Sequence, residues 1–330
     1  MKKTFITALW SLLIVSCLTV PAFAQELLIG GQVVGVQIST KGVLVAGLSE
    51  VETAEGSCFP AKDAGVQAGD IILKAGGQTV SKAADVIAAV EAAQGQTVEL
   101  ELERNEKTMS LSVQPACSAE GQWLLGMWLR DGVSGIGTVT FQDPESGVYG
   151  ALGHSIYDSD SGIRLPVSQG SICDAQIVGI NPGAAGSPGE LNGCADMGKV
   201  LGSIELNTDC GIFGESYGVL GSRTIESGVM ATGPATIVST INGRLSEEYD
   251  VEINRIYKDG SGEHALISVV DPKLLEKTGG IVQGMSGSPL IQNGKLVGAV
   301  THVFVNDPTR GYAVSINDML RAAGIEDKAA

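Results

Sequence analysis

Short runs in which apolar and polar residues alternate fill most of this 330-residue chain, and glycine, asparagine, aspartate or proline separates one run from the next. Residues 32–38 and 42–46 read as strands. Residues 61–72 read as a helical turn that ends at a glycine and enters another strand. Ser81 is placed to cap a helix over 82–93, with Val86, Ile87 and Val90 on one apolar stripe. Residues 97–103 and 108–113 alternate around the polar turn 104–107 and predict a hairpin. Beyond Pro115 and the small, polar stretch 117–121, which reads as a linker, the runs continue at 135–141, 148–152, 235–241, 249–256, 264–270, 290–291 and 296–305. Helical patterning returns only at 272–277 and 316–323. The expectation is a mainly β protein of two units, 28–115 and 118–325, the second a barrel or sandwich.

Composition supports this picture. Glycine is abundant (45 residues), aromatics are 5% and charged residues 18%, which suits many tight turns around packed cores and argues against disorder. The formal net charge of -16 repels nucleic acid and anionic lipid, and no basic patch reverses it, so neither is an expected partner.

The first 24 residues stand apart. Lys2 and Lys3 precede an apolar stretch from Phe5 to Val20, and Ala22 and Ala24 precede Gln25, the pattern of an export signal cleaved after Ala24. Retention as a membrane anchor, or lipid attachment at Cys17, are the alternative fates of the same segment. Export permits disulfides, yet the five remaining cysteines (Cys58, Cys117, Cys173, Cys194 and Cys210) are odd in number, so at least one thiol stays free. Small buried cysteines with one or two bridges are the simplest reading. No cysteine lies at metal-ligand spacing from another or from a histidine, so neither a metal nor a cofactor is expected.

The run Ala64-Gly65-Val66-Gln67-Ala68-Gly69-Asp70-Ile71-Ile72, between paired strands and a helix, resembles a bacterial PDZ domain. That resemblance implies a groove in which a peptide adds as a strand beside a sheet edge. Val34, Gly35 and Val36 match the family's carboxylate-binding loop, and the 82–93 helix would form the second wall. The groove would take a peptide carboxy terminus or a segment of the chain itself.

The candidate chemistry lies further on. Gly284-Met285-Ser286-Gly287-Ser288-Pro289 is a small-residue turn before an apolar run, a tight Asn293-Gly294 turn and a second apolar run. Chymotrypsin-like proteases present a nucleophilic serine in this way, with amides such as those of Gly284 and Ser286 facing the oxyanion. Ser286 is the candidate nucleophile and Ser288 the structural position. Of three histidines, His154 follows a strand ending in small residues and is the candidate base, with His302 and His264 as rivals. Asp271, at the end of an apolar run, is the candidate acid, and Asp158 and Asp160 compete with it. As a structural alternative, Asp271 would cap the helical turn after Pro272.

Gly153-His154-Ser155-Ile156 with Asp158 and Asp160, the stretch from Gly280 to Pro289, and the stretch from Ala299 to Pro308 together resemble the stage IV sporulation protein B (SpoIVB) peptidases. The resemblance covers nearly everything after the leader, with the PDZ domain in the same order. It implies a serine endopeptidase whose triad positions are His154, Asp271 and Ser286. It also implies secretion into the space between the two membranes around a forespore. There the substrate would be a membrane-bound regulator whose cleavage releases processing of a late sigma factor. Two departures from digestive proteases stand out. Asp271 lies close before the serine instead of midway between histidine and serine, which points to a rearranged barrel. Met285 replaces the aspartate that pairs with a new amino terminus, so control through the PDZ domain or self-processing is the expected alternative. A non-catalytic scaffold with a protease-like fold is the rival function, and a quality-control protease of the HtrA type, which carries its PDZ domains after the protease, is a third.

Overall fold

The computed structural model describes residues 25–105 and 107–325, so the leader assigned to residues 1–24 lies outside the described residues. Strand β1 is Glu26–Ile29 and β2 is Val33–Leu48. The PDZ unit continues with helix α1 (Pro60–Asp63), β3 (Ile71–Ala75), helix α2 (Ala83–Ala92), β4 (Val98–Arg104) and β5 (Lys107–Val113). Its core is Val43, Val45, Ile72, Val86, Val90, Leu100 and Leu102, the apolar face that the alternation of these strands and the stripe of α2 supply. Asp70 explains the aspartate of the signature run. It is buried, accepts from the Gln67 amide, and takes a two-toothed ion pair from Arg104 at 2.6 and 2.7 Å. Helix α2 is capped one residue later than expected: Lys82 is the N-cap, and the Asp85 carboxylate accepts from the amides of both Ser81 and Lys82. Ile87 leaves the stripe and is exposed.

Next come β6 (Met127–Gln142), β7 (Val148–Ala151), β8 (Gln169–Asn181), β9 (Glu190–Ser203), β10 (Leu206–Thr208) and β11 (Gly211–Glu215). The last third holds β12 (Gly233–Asn242), β13 (Leu245–Asp259), β14 (Gly262–Val269), helix α3 (Pro272–Thr278), β15 (Pro289–Gln292), β16 (Lys295–Phe304), β17 (Asp307–Ser315) and helix α4 (Ile316–Ala322). Strands β12, β13, β14, β17, β16 and β15 form a closed barrel, sealed where Thr236 and Ile237 pair with Ile291 and Leu290. Ile237, Tyr249, Val251, Ile267, Leu290 and Val300 fill it. The Asn293-Gly294 turn forms as expected, both residues having positive φ (53° and 74°), the backbone a two-residue hairpin needs.

Two expectations about organisation change. The amino-terminal half of the peptidase is an open sheet that runs on into the PDZ unit. Its seam lies inside β2, because the two strands expected at 32–38 and 42–46 are one 16-residue strand. Strand β6 pairs with β2 from Leu48 to Val33, with irregularities at Trp128/Leu129 and Arg130/Gly132. Leu27 and Ile29 pack with Phe141 and helix α4, and Val34, Val36 and Ile38 pack with Val139 and Tyr149. Residues 26–39 thus belong to the peptidase core, not to the 28–115 unit. The β8–β9 hairpin was not foreseen: β9 is mostly exposed, so its sequence lacks the apolar alternation that marks a half-buried strand.

The carboxylate-binding loop is also corrected. Val34, Gly35 and Val36 lie in mid-strand, paired with β6 on one edge and β8 on the other, so their amides serve the sheet and are closed to a peptide. The edge of β2 beside α2 carries the chain's own residues. Met127–Arg130 add antiparallel to Leu44–Leu48, and Trp123, Leu124 and Leu125 line a groove with Val86, Ile87 and Val90. At Gly35 a Cβ would stand 2.5 Å from the Ala195 Cβ and 2.7 Å from the Cys173 Sγ. Gly35→Val is therefore expected to cost about 1–3 kcal/mol of folding stability through overpacking, read as a lower denaturant midpoint.

Candidate active site

The serine turn is built by burying its neighbours. Met285 is fully buried in the barrel core. Ser288 is buried too, with its hydroxyl on Ser239 Oγ at 3.0 Å, so it is structural as expected. Gly287 has φ +94°, and its would-be Cβ meets the Thr138 carbonyl at 2.1 Å and the Leu152 amide nitrogen at 2.5 Å, so only glycine fits. Strand β6 then fixes the turn from across the molecule. The Thr138 amide donates to the Ser286 carbonyl (3.0 Å), Thr138 Oγ1 to the Gly284 carbonyl (2.9 Å), and Thr140 Oγ1 to the Gly287 carbonyl (2.7 Å). Among the described residues no acceptor takes the amides of Gly284 or Ser286. Two donors are therefore free beside the serine.

His154 leaves β7 through two residues with positive φ, Leu152 at 69° and Gly153 at 70°. A leucine there is uncommon and stores strain, which the buried Leu152 side chain holds in place. His154 and Ser286 line one cavity of about 670 Å3, walled by Val36, Ile136 and Leu152 on one side and Ile281, Val282 and Val303 on the other. An apolar side chain suits it. Beyond His154 a second cavity of about 560 Å3 is lined by Asp209, Tyr257, Asp259, His264 and Tyr312.

Two hydrogen bonds define the resting arrangement. Ser286 Oγ donates to the Thr301 carbonyl at 2.7 Å, and His154 Nδ1 stands 2.7 Å from the Ser155 carbonyl. A carbonyl only accepts, so Nδ1 carries the proton and Nε2 is left basic. Burial lowers the pKa of His154, partly offset by that carbonyl, and keeps the ring neutral at pH 7. His302 packs against it, with ring centroids 4.4 Å apart and the planes tilted by 35°. Though its outer face is exposed, desolvation first and the neighbouring His154 second push His302 down to about 4. His302 is thus a neighbour of His154, while His264 is held by Ser261 Oγ at 3.0 Å and by Asp259.

The expected acid is not brought to the histidine. Asp271 is the N-cap of α3: Oδ1 accepts from the Leu274 amide at 2.9 Å and Oδ2 from the Asp250 amide at 3.3 Å. The aspartate-proline pair obeys a local rule, and the capping alternative holds. Nor do the competitors reach the ring. Asp158 is buried and accepts from the Asp160 and Ser161 amides and the Ser161 hydroxyl. Burial pushes its carboxyl up, but those bonds and Arg130 outweigh this and hold it below the usual range. Asp160 pairs with Arg130. The five described cysteines are all free, so neither of the allowed bridges forms. Thr138, Thr140 and Thr301 escaped the sequence reading, and no local signal marks them, since each acts on the serine turn from another strand.

The model of the SpoIVB peptidase S55 family matches residues 121–320, and a PDZ model matches residues 59–104. The chain belongs to the SpoIVB peptidase S55 family. It is a serine peptidase with a PDZ domain ahead of the peptidase unit. No curated protein matches it. Among solved structures, it is similar to the Rv3671c protease from M. tuberculosis in its active form, at 14% identity and TM-score 0.35, covering 58% of this chain and 75% of that one. A serine-to-alanine mutant of the same protein in an inactive form overlaps at 12% identity and TM-score 0.34, covering 57% and 80%. At such TM-scores the overlaps add nothing to the assignment.

Removing the Asp271 cap with Asp271→Ala is expected to cost about 1 kcal/mol in unfolding free energy, measured by denaturant titration. Asp271→Asn keeps a capping side chain and is expected to leave stability and turnover near those of the parent.

Proposed function

We propose that this chain is an exported serine endopeptidase in which Ser286 attacks the peptide carbonyl, His154 is the base and the Gly284 and Ser286 amides receive the oxyanion. The observation that carries this reading is the meeting of His154 and Ser286, 132 positions apart in the sequence, in one apolar cavity beside two free amides. For reaction the Ser286 hydroxyl turns from the Thr301 carbonyl to His154 Nε2, which takes its proton as Oγ bonds to the carbonyl carbon. The oxyanion that forms is stabilised by amides already oriented, with no reorganisation at the moment of reaction. The imidazolium then returns the proton to the leaving amine, and water repeats the cycle on the acyl-enzyme.

The family match and the order of the two units support a finer reading. The substrate is a membrane-bound regulatory protein, met in the space between the two membranes around a forespore, and its cleavage is a signal for late sigma-factor processing. The PDZ unit gates this activity. The support for gating is that one wall of the groove beside α2 is formed by Trp123–Met127 and Leu129, a segment that continues directly into the strand that anchors the serine turn.

A fluorophosphonate probe is expected to label the full chain, and Ser286→Ala and His154→Ala to abolish labelling. The labelling rate should fall on the acid side with a midpoint below the ordinary histidine value of about 6.5, because burial disfavours the charged ring. An unlabelled parent, with a Ser286→Ala strain that still processes its sigma factor, would leave only the scaffold reading. Trp123→Ala, which loosens the segment in the groove, is expected to change the labelling rate severalfold. An unchanged rate removes the gating.

A further inference from the structure

Among the described residues no carboxylate reaches His154, yet a base must be held in one tautomer and one orientation. Strand pairing does not supply this, since His154 follows two left-handed residues at the end of β7. The ring is held by one bond, from Nδ1 to the Ser155 carbonyl. That carbonyl belongs to the same peptide unit as the Ile156 amide, which donates to Asn207 Oδ1 at 2.8 Å. The Asn207 amide in turn donates to the Ile156 carbonyl (2.8 Å) and the Leu165 carbonyl (3.0 Å), so all its side-chain groups are committed. Beside it, the buried Ser155 hydroxyl donates to the Thr208 carbonyl at 2.7 Å.

We propose that Asn207 is the positioning residue of His154, acting through the Ser155–Ile156 peptide in the role a carboxylate plays in other serine peptidases. The inference rests on the serine–histidine chemistry proposed above. Its physical basis is a relay: the Asn207 carbonyl oxygen polarises the Ile156 N–H, which makes the Ser155 carbonyl a better acceptor for Nδ1–H. The relay keeps the proton on Nδ1 and so leaves Nε2 free to act. Asn207 sits in β10, which pairs with β11, and β11 pairs with the strand that launches His154, so donor and ring share one sheet. A neutral amide is compatible with the pocket: other titratable groups near the ring are His302, packed against it, and Asp209, Asp259, His264, Tyr157, Tyr257 and Tyr312 along the second cavity.

The test uses the full chain and has two independent readouts. In the unmodified protein, 15N spectra of histidine-labelled material at neutral pH are expected to show His154 as the Nδ1–H tautomer. An Nε2–H tautomer overturns the proposal whatever the variants do, and this readout needs no turnover. Asn207→Ala is expected to slow fluorophosphonate labelling at least tenfold, to mix the two tautomers, and to move the acid limb to lower pH, because the Ser155 bond that raises the ring's pKa weakens. Asn207→Asp keeps an acceptor for the Ile156 amide and adds charge but gives up both donations to the Ile156 and Leu165 carbonyls, so it is expected to lower stability while its acid limb moves the opposite way, to higher pH. A merely structural asparagine would lower stability in both variants with tautomer and acid limb unmoved, and that result sinks the proposal. If the parent is never labelled while the Nδ1–H tautomer depends on Asn207, the catalytic reading fails and the positioning contact stands.

Discussion

His154 and Ser286 keep their separation because both are referenced to one strand, β6. Its Val139 pairs with Ala151 at the end of the strand that launches His154. One residue earlier, Thr138 grips the serine turn twice, through its amide and its hydroxyl, and Thr140 adds a third bond. Each such bond contributes only about 0.5–1.5 kcal/mol net. Their importance is geometric: they tie the closed barrel to the open sheet at the place where a displacement of an ångström would separate the two side chains.

The electrostatics of the site follow from dryness more than from charge. His154 and His302 are both driven toward neutrality by desolvation, and a neutral imidazole is the form a general base requires. Asp271, Asp158 and Asp160 are each committed to backbone caps or to Arg130, so none of the three supplies the negative charge that usually stabilises the protonated ring. A backbone carbonyl holds the ring instead.

The PDZ unit is joined to the peptidase by paired strands, not by a flexible linker. Strands β2 and β6 pass together from one unit into the other, and β6 is the same strand that anchors the serine turn. The irregularities at Trp128/Leu129 and Arg130/Gly132 are where this ribbon departs from regular pairing, as strands do where they must bend.

Local chemistry was legible in the residues alone. The Asn293-Gly294 turn, the short helices at 272 and 316, the PDZ run with Asp70, and the serine turn all depend on neighbours within a few positions, and their composition declares them. His154 and Ser286, each at a small-residue turn, were singled out in the same way, and the fold brings them to one cavity. Asp271 went astray because a residue before proline satisfies a helix cap locally, and nothing nearby in the chain reveals which demand its carboxylate meets. Asn207, Thr138 and Thr301 were silent: ordinary polar residues whose effect exists only once distant strands lie side by side. The continuity of β2 was hidden in the same way, since the polar break at 39–41 lies inside one strand whose two ends pair with β6 on either side of an irregularity. Contacts across hundreds of residues are decided by packing and hydrogen-bond satisfaction in the folded chain, and pattern along the sequence carries no record of them.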